Sequence, residues 1–466
     1  MRIPSQLHFV GIGGVGMSAV AQVWHEGGGK VSGSDIQPSP TVRRLEERGI
    51  RVHIGHSRDN VADLLGDGPG EVGVVVSTAV AADNPELVAA REQGVAIYHR
   101  SEILAALMGS KRSIAVTGTH GKTTTTGMIG TVLLEGGLDP TILVGGDLPA
   151  IGGTARTGRG EHLVAEADES DRSILRLTAD TVVVTNLEGD HLDHYRDLED
   201  IIDTVATFIN RLPAHAVVLA CIDDPGVRSL LPRLARKVVT YGWSEGADYR
   251  LSGEQLSATG STFHLNGTSF ELRVPGRHNV SNAAAAIAIA TLAGMDEKAI
   301  WAGLARFAGV GRRFQLRGVA AGVQVLEDYA HHPSEIKATL QTAKLLKRPV
   351  WVVFQPHRFS RTAALLEDFA HAFGDATGVA IMDIYSAGEA PNGVSARDLV
   401  DRVCSGHPDL KAFYWPDHQT AEEGADLHLK SGDVVILMGA GNVNRLAEPL
   451  LERLRLREAA VARPPA

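Results

Sequence analysis

Residues 113–124 carry the clearest chemistry in the chain. An apolar run ends at Gly118, a glycine-rich turn follows, and Lys122 and Thr123 begin a segment predicted to be helical. Backbone N–H groups of such a turn can face one anion, the lysine adds positive charge, and the threonine hydroxyl can ligate Mg²⁺. The pattern departs from the general phosphate-loop form because Val116 stands where the first glycine would be. It predicts a shorter phosphate-binding loop, with an ordinary glycine-rich turn as the alternative.

Carboxylate and imidazole side chains follow the next predicted strands. Glu166 ends one strand, and His191 lies just past the strand after it. Carboxyl ends of parallel strands meet at one sheet edge, so these two side chains and Thr123 could complete the shell of a hard cation. The alternatives are a helix-capping acid, at Glu169 or Asp171, and a buried hydrogen-bonded histidine.

A second glycine-rich turn, at residues 11–18, follows a short apolar strand near the N-terminus. Its spacing is G-x-G-G-x-G, and Asp35 ends the next predicted strand, which is similar to a dinucleotide-binding fingerprint. Two later strands end near Ser77 and Arg100, at the same predicted edge. The turn is predicted to hold a diphosphate, with a purely structural loop as the alternative, and Arg100 is either a diphosphate contact or a helix-capping surface residue.

Short apolar runs alternate with helix-like stretches along the whole chain, which predicts α/β folding with mostly parallel sheets. Strands are predicted at 7–10, 72–76, 162–166, 181–186, 217–220, 237–242, 323–329, 350–355, 379–385 and 434–438, and helices at 122–134, 279–295, 334–346 and 362–373. The stretch 249–275 alternates about Asn266-Gly267 and predicts a small antiparallel addition. The alanine-rich helix at 279–295 should be buried, and residues 459–466 are predicted to be a frayed tail. Three segments are expected, at 1–106, 107–308 and 309–466.

Bulk composition excludes several classes of protein. A chain of 466 residues should form roughly two to four domains. A formal net charge of -10 argues against nucleic acid as the main partner. Two distant cysteines, Cys221 and Cys404, argue against a disulfide framework or thiolate metal site. Glycines interrupt the apolar N-terminus, and no run is long enough to span a membrane, so a cytoplasmic protein is expected.

Several motifs occur in the order typical of the Mur ligase family, which the chain resembles along essentially its whole length. They are Gly-Thr-His-Gly-Lys-Thr at 118–123, Asn186 with Asp190-His191, His278-Asn279-Val280-Ser281-Asn282, Arg312-Arg313-Phe314, and Glu327-Asp328-Tyr329-Ala330-His331-His332-Pro333. The resemblance implies a Rossmann-like N-terminal domain for a UDP-sugar, a central phosphate-loop ATPase domain, and a Rossmann-like C-terminal domain with the amino-acid site.

The resemblance also implies an activity. It is ATP-dependent ligation of L-alanine to the lactoyl carboxylate of UDP-N-acetylmuramate through an acyl phosphate, with ADP and phosphate released, in peptidoglycan biosynthesis. The implied cofactors are ATP and Mg²⁺, and the implied partners are these two substrates, with no nucleic acid and no membrane. A monomer or homodimer is expected. Several family members carry a modified lysine past the Asp-His pair, but here that region is Val205-Ala206-Thr207, which favours one metal site.

Individual residues receive expected roles from the same resemblance. The ATP-binding set is Gly118, Thr119, His120, Gly121, Lys122, Thr123, Thr124, Asn282, Arg313 and Asp328. The UDP-sugar set is Gly13, Gly14, Val15, Gly16, Met17, Asp35, Ser77 and Arg100. The amino-acid set is Tyr329, His332, Arg358 and Arg361, the metal set is Thr123, Glu166 and His191, and the catalytic set is Lys122, Arg313 and His332. The base that deprotonates the amine could be His332, His331 or Asp328, and His120 could either touch the acyl phosphate or cap the helix.

Three other functions fit parts of the sequence. A ligase of the same family could add a recycled tripeptide or another amino acid to this sugar nucleotide, although the tripeptide ligase usually has a different glycine loop near the N-terminus. A nicotinamide-dependent dehydrogenase would use the N-terminal turn but leave the Lys122 loop and the His278–Asn282 motif unexplained. A non-catalytic nucleotide-binding scaffold would leave the candidate metal and phosphate residues without a purpose.

Overall fold

Three sheets, of five, ten and six strands, follow one another along the chain. The structure is a computed structural model that describes residues 3–62, 64, 72–190 and 194–462. Most neighbouring strands are parallel and are joined by helices, so the predicted three-domain α/β architecture is confirmed. Within the described part of the chain, no helix combines the length and apolar character that crossing a membrane requires.

The N-terminal sheet is entirely parallel and has the order β3-β2-β1-β4-β5. Its strands are β1 Gln6–Val10, β2 Lys30–Asp35, β3 Arg51–Ile54, β4 Val72–Val76 and β5 Ala96–His99. Its helices are α1 Val15–Glu26, α2 Pro40–Glu47, α3 Asp59–Ala62, α4 Pro85–Glu92 and α5 Arg100–Gly109. The strand order reverses between β1 and β4, so the crevice for a ligand lies at their carboxyl ends. The turn from β1 to α1 therefore lines that crevice.

The central sheet has the order β15-β14-β13-β12-β11-β10-β6-β9-β7-β8. Its strands are β6 Arg112–Thr117, β7 Thr141–Leu148, β8 Gly153–Arg156, β9 His162–Glu166, β10 Thr181–Val184, β11 Val217–Cys221, β12 Lys237–Gly242, β13 Tyr249–Ser257, β14 Gly260–Leu265 and β15 Thr268–Leu272. Its helices are α6 Lys122–Glu135, α7 Leu198–Arg211, α8 Pro225–Leu230, α9 Arg277–Leu292 and α10 Glu297–Arg306. The strands β13 to β15 confirm the antiparallel addition, and α9 is buried as predicted.

Helix α6 is almost completely buried between the central sheet and the helices α9 and α10. It starts directly after Gly121, whose φ of 82° is in the left-handed region that glycine adopts without strain. It ends at Gly136 and Gly137, as the sequence predicts. The start of α6 and the carboxyl end of β6 thus form a rigid frame for the Lys122 loop.

The C-terminal sheet has the order β16-β17-β21-β18-β19-β20, and only β16 is antiparallel to its neighbour. Its strands are β16 Gln315–Ala320, β17 Val323–Asp328, β18 Val350–Phe354, β19 Gly378–Ile381, β20 Lys411–Tyr414 and β21 Val434–Met438. Its helices are α11 Pro333–Lys344, α12 Phe359–Ala364, α13 Leu366–Ala370, α14 Ala396–Gly406, α15 His418–His428 and α16 Ala447–Ala462. Helix α16 continues to Ala462, so the predicted frayed tail is wrong for 459–462, where alanine, the strongest helix former, fills three of the four positions. Residues 463–466 lie outside the described part.

The N-terminal and central domains share one hydrophobic cluster. Met17 and Val20 on α1 belong to the same buried cluster as Leu143 on β7 and Ala155 on β8. The C-terminal domain instead has two clusters of its own, one on each face of its sheet. The first two domains are thus packed together by apolar contacts, whereas the contacts described below between the central and C-terminal domains are polar.

Candidate active site

The Lys122 loop is fastened to the segment that follows β10. Asn186 accepts a hydrogen bond from the His120 N–H at 2.7 Å and donates from its amide to the His120 carbonyl at 3.0 Å. Its own carbonyl accepts from the Thr119 N–H at 3.0 Å. Gly118 has a φ of 127°, and a methyl group there would lie 2.2 Å from the Thr185 hydroxyl oxygen. Only glycine fits at this close approach.

Lys122 lies across its own loop. Its Nζ donates to the carbonyls of Gly118 at 2.6 Å and Thr119 at 3.3 Å, and to Glu169 Oε1 at 2.9 Å. Burial opposes the lysine charge, but the nearby carboxylates of Glu169, Asp168 and Glu166 together outweigh burial and raise the pKa of Lys122. Tyr195 donates from its hydroxyl to the Glu169 carbonyl. Glu169 is therefore the counter-ion of Lys122 and not a helix cap.

Thr123 and Glu166 face each other at the end of β9. The threonine hydroxyl donates to Glu166 Oε2 at 3.3 Å, and the Gly145 N–H on β7 donates to Oε1. Burial raises the pKa of Glu166. A hydroxyl and a partly buried carboxylate are oxygen donors that suit Mg²⁺, so these two residues fit the expected ion. The third expected ligand, His191, lies outside the described residues.

The C-terminal domain reaches the loop through the start of α11. His120 Nδ1 lies 3.2 Å from Glu335 Oε1, and its Nε2 lies 3.5 Å from Glu188 Oε2. Burial opposes protonation, but the two carboxylates outweigh it and raise the pKa of His120 to about 9. The Ser334 hydroxyl donates to Glu188 at 2.5 Å, and the His332 ring lies 4.8 Å from the His120 ring, centroid to centroid. A positively charged imidazole thus joins carboxylates of two domains.

Arg361 makes a second contact between these domains. Its Nε lies 2.9 Å from Asp190 Oδ1, and both side chains are buried. His357 stacks on Tyr385 nearby, and burial lowers the pKa of His357 to about 3. Arg358, with a φ of 73°, pairs with Glu389 at 3.4 Å. Arg358 and Arg361 lie close together, and each already holds a carboxylate.

Asp328 lies at the carboxyl end of β17, and Arg313 lies in the turn before β16. Asp328 accepts from the N–H groups of Phe314 at 2.7 Å and Ala330 at 2.8 Å, and burial raises its pKa to about 6. The Arg313 guanidinium lies 4.9 Å from the ring centre of Tyr329 and 3.8 Å from Glu335. These expected residues therefore lie beside the His120 contact.

Asn282 supports the loop from α9. Its Oδ1 accepts from the Thr125 hydroxyl at 3.0 Å, and a methyl group at Gly121 would lie 3.0 Å from the same oxygen. Thr124 is buried one residue before Thr125 on α6. His278 lies one turn before Asn282 on the same helix. The helix bearing the His278–Asn282 motif thus packs directly against the start of α6.

The expected UDP-sugar residues lie at the carboxyl edge of the N-terminal sheet. Asp35 ends β2 and accepts from the Gly13 N–H at 2.8 Å, and a methyl group at Gly16 would lie 2.6 Å from an Arg100 nitrogen. Arg100 also lies 3.6 Å from Asp168 of the central domain. The remaining members of this set occupy the glycine turn, the start of α1 and the end of β4, and they are Gly14, Val15, Met17 and Ser77.

Several residues at the site were missed by the sequence analysis. Glu188 and Glu335 each lie two residues from a motif used in the resemblance, so their positions carried a usable signal. Gly145 carried none, because its importance comes only from the close approach of Glu166 across β7 and β9. His357 and Tyr385 are brought together by an isolated parallel bridge between two loops.

Family comparisons agree with this arrangement along most of the chain. The model described as "Mur ligase family, catalytic domain" matches residues 6–112, "Mur ligase middle domain" matches 116–290, and "Mur ligase, glutamate ligase domain" matches 312–441. The chain belongs to the Mur ligase family.

Individual Mur ligases resemble this one over nearly its full length. A protein of Geobacter sp. (strain M21), named UDP-N-acetylmuramate–L-alanine ligase, is 46% identical and covers 97% of this chain and 98% of its own. A protein of the same name from Agrobacterium fabrum is 45% identical and covers 98% of each. The crystal structure of UDP-N-acetylmuramate–alanine ligase from Thermotoga maritima superposes with a TM-score of 0.81 at 30% identity, covering 97% of this chain and 99% of that one. A murein peptide ligase from Psychrobacter arcticus shares the fold, with a TM-score of 0.72 at 23% identity over 97% of this chain and 98% of that one.

Proposed function

We propose that this Mur ligase joins L-alanine to the lactoyl carboxylate of UDP-N-acetylmuramate with cleavage of ATP to ADP and phosphate, in peptidoglycan biosynthesis. One observation carries the proposal. His120 of the Lys122 loop contacts Glu335 of the C-terminal domain, in a polar cluster where Ser334 also bonds to Glu188. Relatives with the name of this activity cover nearly the whole chain, which supports the choice of substrates.

The first chemical step is transfer of the γ-phosphoryl group. A carboxylate oxygen of the sugar attacks phosphorus, the bond to the ADP oxygen breaks, and an acyl phosphate forms. Lys122 and the loop N–H groups neutralise phosphate charge, and Arg313 approaches from the other domain. Thr123, Glu166 and His191 would hold Mg²⁺, which would supply further charge neutralisation.

The second step is capture of the acyl phosphate by the amine of alanine. The nitrogen attacks the carbonyl carbon, and the tetrahedral intermediate expels phosphate as the carbon–oxygen bond breaks. The ammonium proton must first pass to a base. Burial lowers the pKa of His332 and raises that of Asp328 to about 6, so near neutral pH the imidazole is neutral and the carboxyl group is ionised, and neither candidate base already carries the proton. Tyr329, Arg358 and Arg361 are assigned to the amino-acid pocket.

Each domain has its own task in this proposal. The unit at 1–106 holds the UDP-sugar through the glycine turn and Asp35, the unit at 107–308 holds ATP, and the unit at 309–466 presents the amino acid. Asn282 and Asp328 are assigned to the nucleoside part of ATP. We place the reaction in the cytoplasm, with the protein acting as a monomer or homodimer.

Release of ADP and phosphate tests the proposal directly. We expect release only when ATP, Mg²⁺, UDP-N-acetylmuramate and L-alanine are all present, with UDP-N-acetylmuramoyl-L-alanine found by mass spectrometry. Replacing alanine by glycine, serine or the recycled tripeptide tests the identity of the acceptor. Faster turnover with the tripeptide would identify the recycling ligase instead, and no release with any acceptor would refute ligation.

A further inference from the structure

His120, Glu188 and His332 form a compact group between two domains. One nitrogen or oxygen atom from each lies within 4.8 Å of the other two. His120 comes from the phosphate loop and Glu188 from the segment after β10, whereas His332 immediately precedes α11 in the C-terminal domain. The group is therefore complete only while the C-terminal domain is docked.

Two imidazole nitrogens of this group are buried and make no hydrogen bond. The Nε2 atoms of His120 and His332 are inaccessible and have no hydrogen-bond partner among the residues that the structure describes. The His332 side chain is only 7% exposed. Buried nitrogen atoms of native proteins almost always have a partner, so each exception calls for an explanation such as an unseen ion.

Hydrogen bonds from neighbouring residues orient the three side chains of the group. His120 Nδ1 lies 3.2 Å from Glu335 Oε1, which leaves Nε2 directed toward Glu188. The Ser334 hydroxyl donates to Glu188 at 2.5 Å, and His332 Nδ1 accepts from the Ser334 N–H at 3.3 Å. Carboxylates and hydroxyls that orient imidazole and carboxylate ligands from behind are typical of protein metal sites.

Two imidazoles and one carboxylate are the ligands of many zinc sites that keep a fourth position open. Ligand bonds of about 2.1 Å at tetrahedral angles place ligand atoms about 3.4 Å apart. His120 Nε2 lies 3.5 Å from Glu188 Oε2, and one ligand atom from each of the three residues lies within 4.8 Å of the other two. Small side-chain rotations would thus close the group around an ion.

We propose that His120, Glu188 and His332 bind a transition-metal cation of the Zn²⁺ type, which displaces a proton from the His120 imidazole into solvent and clamps the C-terminal domain onto the phosphate loop. The ligands differ from Thr123 and Glu166, whose oxygen atoms suit Mg²⁺. An ion at this place would occupy residues that the ligase reaction requires and would hold the domains closed.

Titration of the full-length protein with Co²⁺ or Zn²⁺ tests the site without nucleotide or sugar. We expect intense visible absorption from tetrahedral Co²⁺, displaced by Zn²⁺, and a calorimetric Zn²⁺ affinity that falls more than about tenfold in Glu188→Gln and in His332→Asn. Ser334→Ala, which keeps all three ligands, should weaken binding less. Circular dichroism and thermal melting check that each variant is folded.

Two control variants decide which residues hold the ion. Glu166→Gln alters the expected Mg²⁺ site, and His215→Asn removes a histidine whose side chain is 70% exposed. Both should bind Zn²⁺ as the original protein does. Undiminished binding in folded Glu188→Gln and His332→Asn, or a loss confined to Glu166→Gln, would overturn the proposal. The titration contains no substrate, so a negative result would overturn the metal site without bearing on the proposed ligation. The release of ADP and phosphate tests ligation separately.

Discussion

Arg361 of the C-terminal domain and Asp190 of the central domain form an ion pair in which both side chains are more than nine-tenths buried, with Nε 2.9 Å from Oδ1. Breaking such a pair leaves an uncompensated buried charge, which typically costs about 3–5 kcal/mol. Because the two partners belong to different domains, that cost falls on docking of the C-terminal domain.

Arg361→Ala is therefore expected to open the molecule. Small-angle scattering should show a larger radius of gyration than in the original protein, and ligation should fall at least about tenfold. Arg402→Ala is the matched control, because its pair with Glu367 is more than half exposed and worth at most about 1 kcal/mol. An unchanged radius in Arg361→Ala would show that this pair does not hold the domains together.

Lys122→Ala separates nucleotide chemistry from sugar binding. Loss of the charge facing the phosphates should lower ADP release by about 10²–10³-fold. Calorimetric binding of UDP-N-acetylmuramate should stay nearly unchanged, since the expected sugar residues lie in the N-terminal domain. Lys344→Ala, at a lysine side chain that is 58% exposed, is the control for removing a positive charge. Loss of sugar binding in a folded Lys122→Ala protein would contradict the division of tasks.

Gly145→Ala tests how closely β7 approaches Glu166. A methyl group at Gly145 would lie 2.8 Å from both carboxylate oxygens and would displace them from Thr123. We expect the Mg²⁺ concentration for half-maximal activity to rise about tenfold. Gly153→Ala, on the neighbouring strand, meets nothing within 4 Å and should behave like the original protein. Equal Mg²⁺ dependence in the two variants would show that Glu166 is not a Mg²⁺ ligand.

Docking of the C-terminal domain should weaken at alkaline pH. The pKa of His120 is raised in the docked state to about 9 from an ordinary 6.5, so its contribution is complete below pH 6.5 and is lost as the pH rises through 9. Scattering in metal-free buffer should show gradual expansion across that range. His120→Asn should be insensitive to pH over the same interval. Expansion of equal size in His120→Asn would assign the effect to another group.

The fold was largely predictable because apolar periodicity and glycine positions are local signals. Predicted bounds for β4, β9, β12 and β21 agree with the structure. The predicted helix at 362–373 is wrong in detail, because the chain leaves helical geometry at Leu365, where φ is -112°, and forms α12 and α13. The residue types around Leu365 do not predict that break.

The site was only partly predictable from sequence, since motifs identify residues but not their partners. Lys122 pairs with Glu169, which lies 47 positions later in the chain, so this contact depends on the path of the loop after β9. The contact between His120 and Glu335 spans 215 positions and two domains, so it depends on how the domains dock. The predicted roles of single residues in ATP, sugar and amino-acid binding stay predictions.

The apolar cluster that passes from Met17 and Val20 into Leu143 and Ala155 has a consequence for dissecting the protein. Structure that shares one core tends to unfold cooperatively. A calorimetric scan should thus resolve two melting units, the first two domains together and the third alone. A fragment that lacks the third domain should therefore stay folded and could be used to screen sugar-nucleotide mimics. The first domain alone would expose the apolar surface that packs against the central domain, and it should aggregate.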